Sequence, residues 1–432
     1  MKRPNLIRIL TFLAILLSGS VFLQAGAPPA FAPAPENTPM GQELRERMGE
    51  PLNQGRILFN VRGRFEYADQ DGLDSSKAYT LRTRAGYETA RYNGFSALIE
   101  GEHNLVLNSG SYAAYPPPHN AGQTVIPDGR QRTLNQLNVA WSGHDLQARV
   151  GRQVFNLDNQ RFVGAVGWRQ NNQTFDAARF VWNPDTRLTL SYTWVDKVNR
   201  IFGSAAPAAN LRRFKSDSHL LTGQFSLGGG ARLGAYLYDL DLKQAAALSG
   251  RTVGIYLDGR QELATESALV YRLEFARQED TSASGALDFS HSYLHGRLAF
   301  SGQGFTVGVG YEELDGDGSH AFQTPLATLH AFNGWSDVFL TTPVDGLRDL
   351  YVFGQWNLPE GFVAFWEAHQ FSSARNSDRY GHEFGAGLRK AFSPNFSALL
   401  KYSYYSGSSA SASFAAAAPD RSKLWIQFEF QL

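Results

Sequence analysis

The sequence predicts an all-β protein, a transmembrane antiparallel β-barrel of about 18 strands (16 as the lower count), with short periplasmic turns and long extracellular loops. Three observations carry this. From Arg56 onward, apolar and polar residues alternate with a period of two. The alternating segments run for roughly 9–13 residues, the length a tilted strand needs to cross a bilayer and longer than the five or six of soluble sheets. Beyond the N-terminal segment no run of about 18 apolar residues occurs, so helices are not the crossing elements.

Composition agrees. Gly 42, Phe 30, Tyr 18 and Trp 8 stand beside a charged fraction of 19%, below the roughly 25% of ordinary globular domains. A mean hydropathy of -0.30 is too polar for a helical membrane protein. With no cysteine, a disulfide framework, a zinc-thiolate site, a cysteine nucleophile and a lipoprotein anchor are all excluded. Lys+Arg and Asp+Glu are both 40, which lacks the basic excess of a nucleic-acid binder.

Taken in order, residues 1–32 read as a secretory signal peptide. Lys2, Arg3 and Arg8 form the positive region, residues 9–17 the apolar core, and Ala25-Gly26-Ala27 and Ala30-Phe31-Ala32 two candidate cleavage sites, each followed by proline. Removal takes three cations with it and leaves the remainder slightly acidic. Residues 33–55 read as a periplasmic leader. Pro33, Pro35 and Pro39 keep it extended, and 38–48 is either a short helix capped by Thr38 or coil.

The barrel is expected over 56–432. In 56–67, Ile57, Phe59, Val61, Phe65 and Tyr67 share one face, and Arg56, Asn60, Arg62, Arg64 and Glu66 the other. In 78–89, Tyr79, Leu81, Ala85 and Tyr87 oppose Thr80, Arg82, Arg84 and Glu88. The pattern returns along the chain and closes on Leu424, Ile426, Phe428, Phe430 and Leu432. Alternation is weak in 131–142, 171–182 and 288–300. Short connections such as 142–145, 183–186, 227–231 and 301–304 contrast with long ones at 106–130, 197–216 and 315–346. Residues 406–418 are a low-complexity run of small residues. A secreted β-sandwich or propeller also alternates. Strand length, and aromatics at strand ends (Tyr67, Tyr87, Trp141, Trp194, Trp356, Trp366, Tyr402), favour the membrane barrel.

Catalytic and metal signatures are poor. There is no G-x-S-x-G, Walker A or HExxH. His291 and His295 share a face but lie about 13 Å apart at the rise of a strand, too far to share a metal. Asp315 and Asp317 in "DGDGS" hint at calcium, but the closing glutamate of an EF-hand is replaced by Leu326, and a turn is the better reading. No catalytic residue, metal or cofactor is expected. Lysine numbers 8 against 32 arginine. Arginine pairs bidentately with carboxylates. Arg62, Arg64, Arg82 and Arg84 lie on the polar faces of two neighbouring strands, and Arg149, Arg179, Arg187, Arg272 and Arg389 are expected to face inward. A lumen so lined favours anions. The opposing reading is a salt-bridged wall, since Glu66, Glu88, Glu100, Glu102, Glu274, Glu367 and Glu429 share those faces.

Two stretches are more specific, "GRQVFNLDNQRFVGAVGWRQNNQTFDAARF" (151–180) and "AFQTPLATLHAFNGWSDVFLTTPVDGLRDLY" (321–351). Both resemble signature segments of the alginate-export family of bacterial outer-membrane porins, and the resemblance extends over about 55–432. It implies an 18-stranded barrel and passive passage of an anionic polyuronate through an arginine-rich constriction. From the first motif it singles out Arg152, Asp158, Arg161, Arg169, Asn171 and Asp176, with Arg161 and Arg169 either aimed at the channel or bracing a loop. The second reads as an ordered plug-like loop around Trp335, Phe339 and Pro343, a gate or a packed cap. The C-terminal Leu432 departs from the usual terminal aromatic.

The expectation is therefore a bacterial outer-membrane channel for passive passage of anionic saccharides or small carboxylates. Its lumen cations would be Arg62, Arg64, Arg82, Arg84, Arg149, Arg152, Arg161, Arg169 and Arg179. Its partners would be the solute and outer-membrane lipid, with room for a periplasmic export partner and no nucleic acid. The alternatives are a structural or adhesive barrel with a closed lumen and, last, a barrel enzyme for which no nucleophile can be named.

Overall fold

The computed structural model describes residues 54–108, 111–114, 120, 122–285, 287–408 and 419–432. The expected signal peptide, all but the last two residues of the leader, and 409–418 of the low-complexity run lie outside the described residues. Eighteen strands follow in chain order: β1 Arg56–Gln70, β2 Ser76–Glu88, β3 Phe95–Val106, β4 Gln131–Gly143, β5 Leu146–Gln153, β6 Thr174–Trp182, β7 Leu188–Asn199, β8 Arg213–Gly228, β9 Ala231–Leu240, β10 Gly250–Ala264, β11 Ser267–Glu279, β12 Ser290–Gly302, β13 Phe305–Leu314, β14 Leu347–Asn357, β15 Phe362–Ser372, β16 Arg379–Ser393, β17 Phe396–Gly407 and β18 Arg421–Gln431. Each pairs antiparallel with its neighbours in sequence, and β1 pairs with β18 from Asn60↔Gln431 to Gln70↔Arg421. Closure leaves no sheet edge, the condition for strands to sit in lipid.

The period of two becomes an inside and an outside. Leu137, Val139, Val150, Leu273, Phe275, Leu294 and Val309 are exposed on the outer face. A continuous band of large apolar side chains around a closed barrel is what hydrocarbon requires and water would oppose. Trp356 and Trp366 stack at 6.2 Å near the end that carries the turns and the chain terminus, and Trp194 and Tyr402 lie toward the other end. That is the placement of two interfacial girdles. The terminus end carries short connections such as 144–145, 229–230 and 303–304. The opposite, extracellular end carries 107–130, 154–173, 200–212 and 315–346.

Two of those long connections, 154–173 and 315–346, turn back into the barrel. Phe155, Leu157, Phe162 and Val163 of the first pack with Phe322, Leu326 and Phe339 of the second. Around them lie inward-facing Phe175, Tyr236, Tyr238, Tyr293, Phe371, Tyr380 and Tyr405 of the strands. This explains the weak alternation. In 288–300 the inner face is apolar because Tyr293 lies 5.5 Å from Phe322 and 5.3 Å from Phe162. In 171–182 the inward Phe175 stacks on Phe155 at 4.3 Å. In 131–142 the register shifts opposite Glu100/Gly101. A bulge adds one residue and resets which parity faces the core.

Candidate functional site

The two inward segments form one body. Their backbones meet at a Val163↔Leu326 bridge, Gly164 N–H donates to Leu326 O, and Thr328 N–H donates to Gln160 O. Charge then ties this body to the wall. Arg161 donates to both carboxylate oxygens of Glu312 on β13, at 2.7 and 3.3 Å, to Asn333 Oδ1 at 3.0 Å and to Thr324 Oγ1 at 3.2 Å. Arg169 reaches Glu66 on β1 and Asp337 in the second segment. Lys423 on β18 lies 2.6 Å from Asp337. Burial penalises the Arg161 guanidinium, yet Glu312 raises its pKa above the ordinary arginine value. Burial likewise opposes Arg169, but Glu66 and Asp337 raise it. Both remain charged, so each is a satisfied buried cation and not a free one.

Aromatic contacts finish the attachment. Trp168 stacks on His330 with ring centroids 4.4 Å apart. Lys401 Nζ on β17 lies 4.6 Å from the Trp168 ring and 3.8 Å from the Trp335 ring. Several residues of the two segments hold positive φ without being glycine: Asp158, Gln160, Val166, Asn333 and Asp337. For β-branched Val166 this is costly and persists only where the surroundings over-determine it.

The first four expected lumen arginines face inward; Arg62 and Arg64 lie beneath this body, and Arg82 and Arg84 are paired within the wall. Arg62 donates to Gly167 O at 3.0 Å and pairs with Glu429 at 3.1 Å. Arg64 donates to Trp168 O at 2.7 Å and sits 3.4 Å from Asp128. Arg82 pairs with Glu429 at 3.0 Å, and Arg84 with Glu102. Arg62, Arg64 and Arg169 thus hold the first inward segment against β1, Arg161 holds it against β13, and Arg82 and Arg84 pair within the wall.

The open space lies on the other side, against β6–β15. A cavity of about 1270 Å³ is lined by Asp158 and Asn333 of the inward segments and by strand residues that include Arg179, Arg232, Arg260, Arg272 and Arg297. Three of these are matched: Arg232 to Asp258 at 2.6 Å, Arg260 to Glu262 at 2.7 Å, and Arg272 to Glu274 at 2.7 Å and to Asp158. Two are not. Among the described residues Arg179 and Arg297 have no carboxylate within ion-pair reach. Arg179 lies 5.6 Å from the Phe155 ring, and Arg297 lies over Phe353 at 4.1 Å. Arg149 is directly opposite Arg179 in register and donates to Asn138 Oδ1. Arg389 likewise has Gln355 Oε1 as its partner, at 2.9 Å. All four lie in the periplasmic half of their strands, where cations outnumber acids. Acidic groups also line the cavity. Glu312 is held by Arg161, and Asp349 and Glu367 flank His369 at 2.8 and 3.2 Å.

Arg152 is a correction. Its partner in register is Leu137, which is exposed on the lipid face, and Arg152 shares that face. It pairs there with Asp176 at 2.7 Å, so it is not a lumen residue. Arg187 is a second correction: it is exposed in the 183–187 turn, before β7 begins. Asp317 Oδ1 accepts from the N–H of Ser319 and His320, as a turn aspartate does. His295 pairs with the Tyr351 hydroxyl at 3.0 Å, and among the described residues no group of acids and histidines is placed to hold a metal. Sequence reading missed Arg232, Arg260 and Arg297. The signal for Arg297 was parity, because it alternates with Leu294, Leu298 and Phe300 once Tyr293 is recognised as inward.

A closed, lipid-facing 18-strand barrel narrowed by inward-folded extracellular segments is an outer-membrane porin in architecture. The crystal structures it resembles agree. Acinetobacter baumannii OccAB4 superposes with a TM-score of 0.68 at 13% identity, over 88% of this chain and 98% of that one. Pseudomonas aeruginosa OpdK, determined with vanillate, gives 0.67 at 14%, over 87% and 98%. A. baumannii OccAB2 gives 0.68 at 14%, over 87% and 98%. In sequence, the alginate-export family model matches residues 59–198, about a third of the chain. That match contains the first motif, while the second lies beyond it. No curated protein matches the chain in sequence.

Proposed function

We propose that this protein is an outer-membrane channel for passive passage of anionic, carboxylate-bearing solutes. The observation that carries the reading is the pair Arg179 and Arg297, facing the open cavity with, among the described residues, no carboxylate within ion-pair reach. Fixed cations lower the cost of entry for an anion. Because they are spread along the wall and do not converge on one point, they bind weakly enough to release it. The alginate-export match over 59–198 and the vanillate of the OpdK structure both support a carboxylate as the recognised group. The solute gradient supplies the driving force, and the reading assigns the protein no reaction. Residues 1–32 act in it as the export signal.

The test is the reversal potential of the purified protein in a planar bilayer under a salt gradient, followed by block with added uronate oligomers and small carboxylates. Anion selectivity with block supports the proposal. Cation selectivity would mean that Asp158, Glu367 and their neighbours dominate the field, and it would overturn the anion reading. Absence of conductance would favour the closed structural barrel.

A further inference from the structure

On the outer face, near the extracellular end, four residues stand in direct register across four strands: Arg152↔Asp176, Asp176↔Lys197 and Lys197↔Lys215. Asp176 takes Arg152 at 2.7 Å and Lys197 at 2.8 Å. Lys215 is exposed and, among the described residues, has no carboxylate within ion-pair reach; the same holds for Arg213, two residues before it. The acid nearest below, Asp217, is engaged by the Trp194 indole N–H at 2.9 Å and lies 3.8 Å from His219. Elsewhere on this rim Arg251 pairs with Asp239, Arg277 with Glu279 and Arg348 with Glu313, while among the described residues Lys77 on β2 and Arg379 on β16 have no ion pair.

Lys197 opposite Lys215 is a like-charge cross-strand pair, an arrangement that costs stability unless an anion lies between. The depth is informative. The row lies within three residues of the strand ends, directly above Tyr192 and Trp194. Interfacial aromatics mark the headgroup level, and charge on the lipid face is tolerable only there. An anion at that depth, against that face, comes from a lipid. We propose that the β5–β8 sector binds the phosphate of a phosphorylated glycolipid of the outer leaflet, held by Lys197, Lys215 and Arg213. This site is independent of what the lumen carries.

The test uses the full-length protein in mild detergent, titrated with bis-phosphorylated lipid A, with the same lipid after phosphate removal, and with inorganic phosphate. The variant is Arg213→Gln with Lys215→Gln, because neither residue has an internal carboxylate to orphan. Phosphorylated lipid A is expected to bind wild type best, and the double variant roughly thirtyfold more weakly, from about one surface-cation contribution per residue. Heat-modifiable migration and conductance should be unchanged, which separates lost binding from lost folding. Equal binding of the dephosphorylated lipid, competition by inorganic phosphate at the same concentration as the lipid, or an unaffected double variant would each overturn the proposal.

Discussion

The Trp168 indole and the His330 imidazole lie parallel, 4° apart in plane and 4.4 Å between centroids. They come from the two inward segments and join them at the wall. Lys401 Nζ donates to His330 Nε2 at 2.9 Å, so the other ring nitrogen carries the proton and donates to Asp337 Oδ1 at 2.7 Å. A strand lysine, an imidazole and a carboxylate thus form one chain that fixes how far the second segment reaches into the lumen.

Charge selectivity should follow the free arginines and not the bracing ones. Arg179→Gln with Arg297→Gln is expected to lower the chloride-to-potassium permeability ratio by about two- to fivefold, since exposed fixed charges act through a screened field. Arg82→Gln, buried in the wall against Asn60 and Glu429, should leave the ratio nearly unchanged. Reversal potentials of the two variants decide it, and the opposite ranking would mean that the buried cluster faces the solute.

Arg161 and Glu312 test the bracing role. Arg161→Ala strands Glu312 as a buried unpaired carboxylate, at a cost of about 3–5 kcal/mol, whereas replacing both by apolar residues of similar volume should recover most of that. Denaturant unfolding of the single and double variants gives the comparison. Single-channel recordings of Arg161→Ala should also show larger, noisier conductance as the segment loosens.

The His330 and Asp337 pair gives a pH dependence. Burial, then the Lys401 ammonium, holds His330 well below its ordinary 6.5. Burial would raise Asp337, but Lys423, His330 and Arg169 hold it well below the usual carboxylate range. Both groups therefore bind protons more readily once released from the fold. Their stabilising contribution is complete above about pH 6.5 and falls as pH drops, first through His330 and then through Asp337. Conductance noise should rise on moving from about pH 7.5 to about pH 5, and Asp337→Asn should be noisy already at the higher pH.

Gly385 tests the seat of the second segment. A Cβ there would collide with the Trp335 ring. Gly385→Val should displace Trp335 and raise conductance while the barrel keeps its heat-modifiable migration. A variant with wild-type conductance would show that Trp335 does not set the pore width.

Much of this was legible in the residues. The period of two placed Arg62, Arg64, Arg82 and Arg84 inward, and the alternating segments and loop lengths pointed to 18 strands. Parity by itself points Arg152 outward, since it shares a face with Leu146, Ala148 and Val150. The motif resemblance pulled it into the lumen, and register with Leu137 returns it to the outer surface. Where parity failed, in 131–142 a bulge had inserted a residue, and in 171–182 and 288–300 the inner face was apolar because the inward segments pack on it.

By itself, then, the sequence determined which side chains point in and which point out, because that depends only on the local geometry of a pleated strand and on lipid excluding charge. Which inward arginines meet water was decided by the tertiary structure alone. The 154–173 and 315–346 segments are distant in sequence, and their joint packing covers Arg62 and Arg64 while leaving Arg179 and Arg297 open. No local pattern encodes that contact, because it is set by which strands lie beside each other once the barrel has closed.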